Sequence, residues 1–412
     1  MATVPPFIAA DATTKQFPTS VRQQQAANLT DPITPEGGAV AGKFGQVAGA
    51  RPGNRMVWLG DSLTQWQDTA TPANTPTSSA SHSQRVSLGN LASIMTGQRA
   101  LYVNNAGIGG NTTTQMLARF DTDVTPFAPN AVHLLAGTND IGNSIPISTS
   151  MANITQLVGK IRLIGAAPLL GLLPPSAANP AKVTQWNLGI RRLALALGVA
   201  LVDYHSPLVD PSSGSFLPAY LGDGTHPTNA GFAMMAQTFA SVAGPLLPPF
   251  SAPLPTTNGQ SNNLIGNGLF PTVGSPWTGS PQNISAAAAP AVGNWMNLTG
   301  DGISAGTIYQ NLSTAPVAGH RYLLLGRVQT SLTSGANGFL VRNRITTSSG
   351  AVDMMPMNNV AATIPDGVFL TEYVCPAGAT SQQVMFQVNS DTVGTMKIGQ
   401  VALYDLTALG LL

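Results

Sequence analysis

Between Arg55 and Ala243 short apolar runs alternate with stripes of apolar residues spaced three or four apart. Met56–Leu59, Ala131–Ala136, Ala167–Leu173 and Val199–Val202 read as buried strands. Met151, Ile154, Leu157, Ile161 and Ile164 mark one face of a helix, and Val183, Trp186, Ile190, Leu193 and Leu197 mark the next. Strands separated by such helices predict right-handed βαβ units and an α/β domain whose parallel sheet is covered on both faces.

Beyond residue 261 the helical period vanishes. Arg321–Thr330, Gly338–Thr347, Val368–Pro376, Gln383–Asn389 and Met396–Leu406 are rich in Val, Leu, Phe, Tyr and Thr and are separated by Gly, Pro, Ser and Asn. Short strands at that spacing predict an all-β domain, a jelly roll or β-sandwich. Gly244–Ser261 carries Pro245, Pro248, Pro249, Pro253 and Pro255, the composition of an extended, semi-rigid linker. Before the α/β pattern, Phe17–Leu29 suits one short helix, and Pro32, Pro35 and Gly37-Gly38 break what surrounds it. The expected organisation is a docking arm over 1–50, an α/β domain over 51–243, a linker over 244–261 and a β-sandwich over 262–412. Asp68–Ser83, rich in Thr, Pro, Ser and Ala, is expected to be a long loop bordering the crevice.

Composition narrows the class. At 412 residues the chain exceeds one ordinary core. Charged residues are only 8%, so the surface must be solubilised by Ser, Thr, Asn, Gln and Gly, as in extracellular and virion proteins. A formal charge of +1 offers no basic field for nucleic acid or an anionic membrane. Cys375 is the single cysteine, which excludes an intramolecular disulfide and a cysteine-ligated zinc site. The first residues show no basic segment followed by an apolar core, so no signal peptide is visible. No apolar run reaches the length of about 18 residues of a membrane span, and no membrane insertion is expected. An exterior-type surface without an export signal fits a virion component released by lysis, or a protein otherwise extracellular.

Four polar clusters fall where strands or turns should end: Gly60-Asp61-Ser62-Leu63, Asn104–Thr112, Gly137-Thr138-Asn139-Asp140 and Asp223-Gly224-Thr225-His226-Pro227. In an open parallel sheet these ends converge on one rim. Together, and in this order, they resemble the four blocks of the GDSL, or SGNH, hydrolases over about residues 55–240. The resemblance implies a flavodoxin-like three-layer sandwich and an esterase that works without metal or cofactor.

The parts support the same chemistry. A serine hydroxyl needs a base to become a nucleophile. His226 has Asp223 three positions earlier, close enough within one turn to accept its Nδ1–H and hold the ring. Ser62, Asp223 and His226 are therefore the candidate catalytic residues. The oxyanion donors that match the family blocks are the backbone N–H groups of Ser62 and Gly110 and the side-chain amide of Asn139. Taken singly, each reads as a turn hydroxyl, a helix cap or a loop brace; their joint occurrence is what points to a site. Asp61 and Asp140 are expected to brace the loops rather than react. His133 reads as a core residue, His205 as structural and His82 as a solvated loop residue. Trp277, Trp295, Tyr309 and Tyr373 suit a sugar-stacking face, although aromatics in β-sandwiches more often fill cores.

Two further resemblances bear on biology. The pattern Phe17-Pro18-x-x-Val21-Arg22 through Ala27-Asn28-Leu29-x-Asp31-Pro32 to Pro35-Glu36-Gly37 resembles leaders of minor tail proteins in phages of actinobacteria. Asn263–Gly268 and Ile398–Asp405 resemble the ends of carbohydrate-binding-type β-sandwich modules. The expectation is a serine esterase acting on acetyl or short-chain O-acyl esters of a cell-surface glycan or glycolipid. A homotrimer and other phage tail proteins are the protein partners implied. The alternative is a virion structural or receptor-binding protein whose hydrolase-like domain mainly binds the host surface.

Overall fold

The computed structural model describes residues 54–67, 81–260, 262–280 and 283–411. The arm expected over 1–50 and most of the Asp68–Ser83 loop lie outside the described residues.

The α/β part runs β1 (Arg55–Gly60), α1 (Ser62–Gln65), β2 (His82–Ser83), α2 (Leu88–Met95), β3 (Leu101–Gly107), α3 (Thr113–Asp123), β4 (Ala131–Leu135) and α4 (Thr138–Gly142). It continues through α5 (Ile147–Leu163), β5 (Ala167–Gly171), α6 (Pro180–Leu197), β6 (Ala200–Val202) and α7 (Asn229–Val242). Five strands form one parallel sheet in the order β3-β1-β4-β5-β6. This is the flavodoxin-like winding, which reverses direction between β1 and β4 and opens a crevice at their carboxyl ends. The apolar residues of β1 and β4 are almost wholly buried, as coverage on both faces requires. Helices α3, α5 and α6 pack side by side, and α2 packs on α7. The right-handed crossovers put these two groups on opposite faces of the sheet.

The all-β part comprises β7 (Thr278–Ser280), β8 (Asn283–Ala286), β9 (Asn294–Asp301), β10 (Gly306–Asn311) and β11 (Arg321–Ser334). It is completed by β12 (Phe339–Thr347), β13 (Gly350–Val360), β14 (Ile364–Val374), β15 (Ala379–Val388) and β16 (Val393–Asp405). Two sheets face each other in the orders β2-β13-β12-β15-β10-β7 and β14-β11-β16-β9-β8, the arrangement of a β-sandwich. In β15 Val384, Phe386 and Val388 point inward while the residues between them are half-exposed, the period-two pattern of a strand with one buried face. Trp277, Trp295 and Tyr373 are also buried, and Trp277 packs between Phe270 and Phe386 with ring centroids 5.5 Å from each. Tyr373 stacks on Tyr322 at 5.6 Å. The four-aromatic sugar-stacking face is therefore not formed. Only Tyr309 of that set is partly exposed, because burying a large ring stabilises a sandwich core more than displaying it.

The α/β part and the sandwich are joined by more than the Pro-rich segment. One continuous apolar core runs from the parallel sheet into the sandwich. At the junction Gln98 Nε2 donates to Val368 O at 2.6 Å, and a Cβ on Gly367 would meet Ile94 Cγ2 at 2.5 Å. The described end of the expected crevice loop docks on the sandwich. Strand β2 pairs in parallel with β13, and Asn358 Nδ2 donates to Ser83 Oγ at 2.6 Å. The Pro-rich stretch is also tied down. Leu247 is buried, the Tyr404 hydroxyl donates to Pro253 O, and Gln400 Nε2 donates to Pro255 O, both at 3.0 Å. Proline lacks an N–H but keeps its carbonyl, so a Pro-rich segment can still be held by acceptors.

Candidate active site

Ser62 lies at the switch point, as the first residue of α1 directly after β1. Asp61 caps that turn, its Oδ1 accepting the Leu63 N–H at 3.0 Å. Gly60 is needed for space rather than for an unusual φ. A Cβ there would lie 2.0 Å from Thr64 Oγ1 and 2.8 Å from Leu135 O, so only glycine lets the turn close against β4.

The Asp223–Pro227 segment brings the base to the nucleophile. Asp223 Oδ1 accepts the N–H groups of Thr225 at 3.0 Å and His226 at 2.8 Å, folding the segment into a tight turn. Its Oδ2 lies 2.7 Å from His226 Nδ1, and His226 Nε2 lies 2.7 Å from Ser62 Oγ. With Nδ1–H directed at the carboxylate, Nε2 carries the lone pair that faces the serine hydroxyl. The His226 N–H and then its imidazole hold the Asp223 carboxyl down at about 2, so it stays ionised although its side chain is largely exposed. The Trp66 ring sits 5.1 Å from the His226 ring and stacks on Phe232 at 4.7 Å. Its Nε1 donates to Asn229 Oδ1 at 3.2 Å, which fixes one wall against which the imidazole rests.

The loop after β3 carries Gly110 to the same place. Ile108 N–H donates to Gly60 O at 3.2 Å, and Gly109 N–H donates to Gln65 Oε1 at 2.8 Å. A Cβ on Gly109 would lie 3.8 Å from Ser62 Cβ. Gly110 has φ +79, a left-handed conformation suited to glycine, with open space where a Cβ would be. Asn139, in the first turn of α4, donates one amide hydrogen to Asn111 O at 3.1 Å, and the other has no acceptor among the described residues. The loop contacts therefore bring the Ser62 and Gly110 N–H groups and the Asn139 amide to one rim of the crevice.

The supporting side chains are more extensive than the motifs. Asp140 is wholly buried, and its carboxylate accepts from Thr113 N at 2.9 Å, Thr113 Oγ1 at 2.6 Å and Ser150 Oγ at 2.7 Å. It locks α4 to the start of α3 and to α5. Arg119, absent from the motif reading, donates at 2.7 Å to Gly60 O, Ala106 O and Asn111 Oδ1, and pairs with Asp123. One guanidinium thus clamps the ends of β1 and β3 and the Gly110 loop, as its planar fork of donors permits. Its only sequence signal is the i,i+4 spacing to Asp123, which reads as an ordinary surface pair. Asp61 is wholly buried, and its Oδ2 has no partner among the described residues. Burial pushes its carboxyl up to about 7.

Three other histidines, His82, His133 and His205, lie elsewhere in this part of the chain. His133 is buried within β4 with Nε2 2.9 Å from the Tyr204 hydroxyl, and burial lowers its pKa to about 3, keeping it neutral. Its Nδ1 has no partner among the described residues, so the core satisfies only one side of the ring. His205 follows β6, its N–H donating to Asp203 Oδ1. His82 contributes its backbone to β2, and its side chain lies outside the described residues. Among the described residues no group of three or more His, Cys, Asp or Glu is placed to hold a metal. No described helix is long and apolar enough to cross a membrane.

Residues 58–234 match the model of the GDSL-like Lipase/Acylhydrolase family. No curated protein matches the chain. Among solved structures, a GDSL-like lipase from Bacteroides thetaiotaomicron is 21% identical with a TM-score of 0.37, the alignment covering 49% of this chain and 95% of that one. An acetylxylan esterase from Geobacillus stearothermophilus is 19% identical with a TM-score of 0.38, covering 47% of this chain and 96% of that one.

Proposed function

We propose that the chain, whose residues 58–234 match the GDSL-like Lipase/Acylhydrolase family, is a carboxylic ester hydrolase that removes acetyl or short-chain acyl groups from O-acylated cell-surface glycans or glycolipids, as part of a phage tail. The observation that carries the catalytic part is the unbroken relay from Asp223 through His226 to Ser62, with 2.7 Å at each step.

In this reading His226 Nε2 takes the Ser62 proton as Oγ attacks the ester carbonyl. The tetrahedral oxyanion is met by the N–H groups of Ser62 and Gly110 and by the free hydrogen of the Asn139 amide. Collapse breaks the bond to the alcohol, whose oxygen receives the proton from His226, and leaves an acyl-serine. Water then attacks the acyl group with His226 again as base, releasing the acid and restoring Ser62. Asp223 remains ionised throughout and stabilises the imidazolium.

A chain with only 8% charged residues suits a particle that works outside the cell. The leader pattern at Phe17–Gly37 supports a tail protein. The test is hydrolysis of p-nitrophenyl acetate, and of O-acetylated host envelope glycan, by wild type and Ser62→Ala. Release by wild type and loss in the variant support the proposal. Equal background rates on both substrates would sink it, and activity on the small ester alone would leave the esterase but remove the glycan.

A further inference from the structure

Resting on the esterase reading, we propose that the cleft between α7 and the sandwich holds the alcohol side of the substrate, and that this alcohol is an uncharged saccharide chain. The cleft measures about 480 Å³. One wall is α7 with Asn229, Ala233, Met234 and Gln237; the other is the sandwich rim with Leu332, Ala361 and Pro365. Neither half of the molecule contains the site alone.

Its position relative to the reacting atoms follows from the chain. Thr228 and Asn229, in the lining, come directly after His226-Pro227, and Asn229 Oδ1 accepts from Trp66, whose ring rests against His226. From Asn229 to Gln237 the helix rises about 12 Å, so the cleft leads away from the site along α7. His226 protonates the departing oxygen, which places the alcohol on the histidine side of Ser62. Thr228 and Asn229, which follow His226-Pro227, put the cleft lining next to that histidine.

The lining chooses the ligand class. None of the lining side chains is charged, so a polyanionic glycan finds no cation there. The Tyr220 hydroxyl, the Asn229 Nδ2 group and the Gln237 amide line the cleft and donate to no protein acceptor among the described residues. A long alkyl chain would strip water from these groups and return no hydrogen bond. Sugar hydroxyls replace that water, while the C–H faces of the rings lie against Ala233, Met234, Leu332 and Pro365. The sandwich would thus recognise the substrate through its junction with the hydrolase rather than through an aromatic face of its own.

The test uses the full chain and two variants that fill the cleft from opposite walls, Gln237→Trp and Thr363→Trp, with melting curves to confirm folding. The measured quantity is the ratio of kcat/KM on partially O-acetylated cellohexaose to kcat/KM on p-nitrophenyl acetate, with octyl acetate as a third substrate. A fall in the saccharide ratio of about ten-fold or more in either folded variant, without a matching fall for octyl acetate, supports the assignment. An unchanged saccharide ratio in both overturns it, as does a selective fall for octyl acetate. If wild type hydrolyses p-nitrophenyl acetate but not the saccharide ester, the cleft assignment fails and the esterase stands. If wild type hydrolyses neither, the esterase reading fails and the cleft assignment with it.

Discussion

Asn139→Ala isolates the oxyanion contribution from the nucleophile. The Asn139 amide has two hydrogens, and one is committed to Asn111 O at 3.1 Å. That bond fixes the amide, so in the proposed oxyanion hole the donor is oriented before substrate arrives and costs no reorganisation during the reaction. The half-buried side chain packs little apolar area, and truncation should change stability far less than rate. With the two backbone donors at Ser62 and Gly110 left in place, removal of one donor of three should lower kcat by about 100- to 1,000-fold, or about 3–4 kcal/mol of transition-state stabilisation. KM should move little, because a ground-state carbonyl gains much less from the donor than the oxyanion does. Steady-state kinetics on p-nitrophenyl acetate, with melting curves as control, provide the assay. A folded variant with kcat within about three-fold of wild type would refute the placement of Asn139 in the oxyanion hole.

Arg119→Ala removes the guanidinium that joins the ends of β1 and β3 to the Gly110 loop. We expect a stability loss of about 2–4 kcal/mol by urea denaturation and a fall in kcat beyond the change in KM; a neutral effect on both would contradict the clamp. Asp61 gives a pH signature. Its folded pKa of about 7 lies above the ordinary 3.8, so the folded state retains a proton that the unfolded chain releases. The resulting stability is full below pH about 4 and is lost as pH rises through about 7. Asp61→Asn cannot ionise, so its drop in melting temperature from pH 4 to pH 8 should be smaller than that of wild type; equal drops would argue against a buried, proton-holding Asp61.

How far the chain could be read from its residues varied with the physics involved. Met56–Leu59, Ala131–Leu135 and Ala167–Gly171 are legible as strands because coverage on both faces leaves uninterrupted apolar runs. The polar clusters stand out because each interrupts such a run or precedes a helix, and the structure brings Ser62, His226 and Asp223 within hydrogen-bond reach. The need for glycine at 60 is not legible, since crowding by Thr64 and Leu135 depends on how β4 lies alongside. Arg119 is hidden because its acceptors are backbone carbonyls, which any sequence supplies. The fusion of the two halves is hidden for a related reason. Contacts such as Ile94 with Gly367 carry no local periodicity, and a two-residue strand like His82–Ser83 is too short to show one. The aromatics of the sandwich illustrate the remaining ambiguity, since Trp and Tyr suit a stacking platform or a core, and only the fold decides between them.

An activated Ser62 should react with a sulfonylating agent. The most direct test is intact-mass and peptide mass spectrometry after exposure to phenylmethylsulfonyl fluoride. One sulfonyl adduct per chain is expected, mapped to Ser62 and absent in His226→Ala and in Ser62→Ala. A wild-type protein that stays unlabelled while folded, or an adduct on a residue other than Ser62, would contradict it.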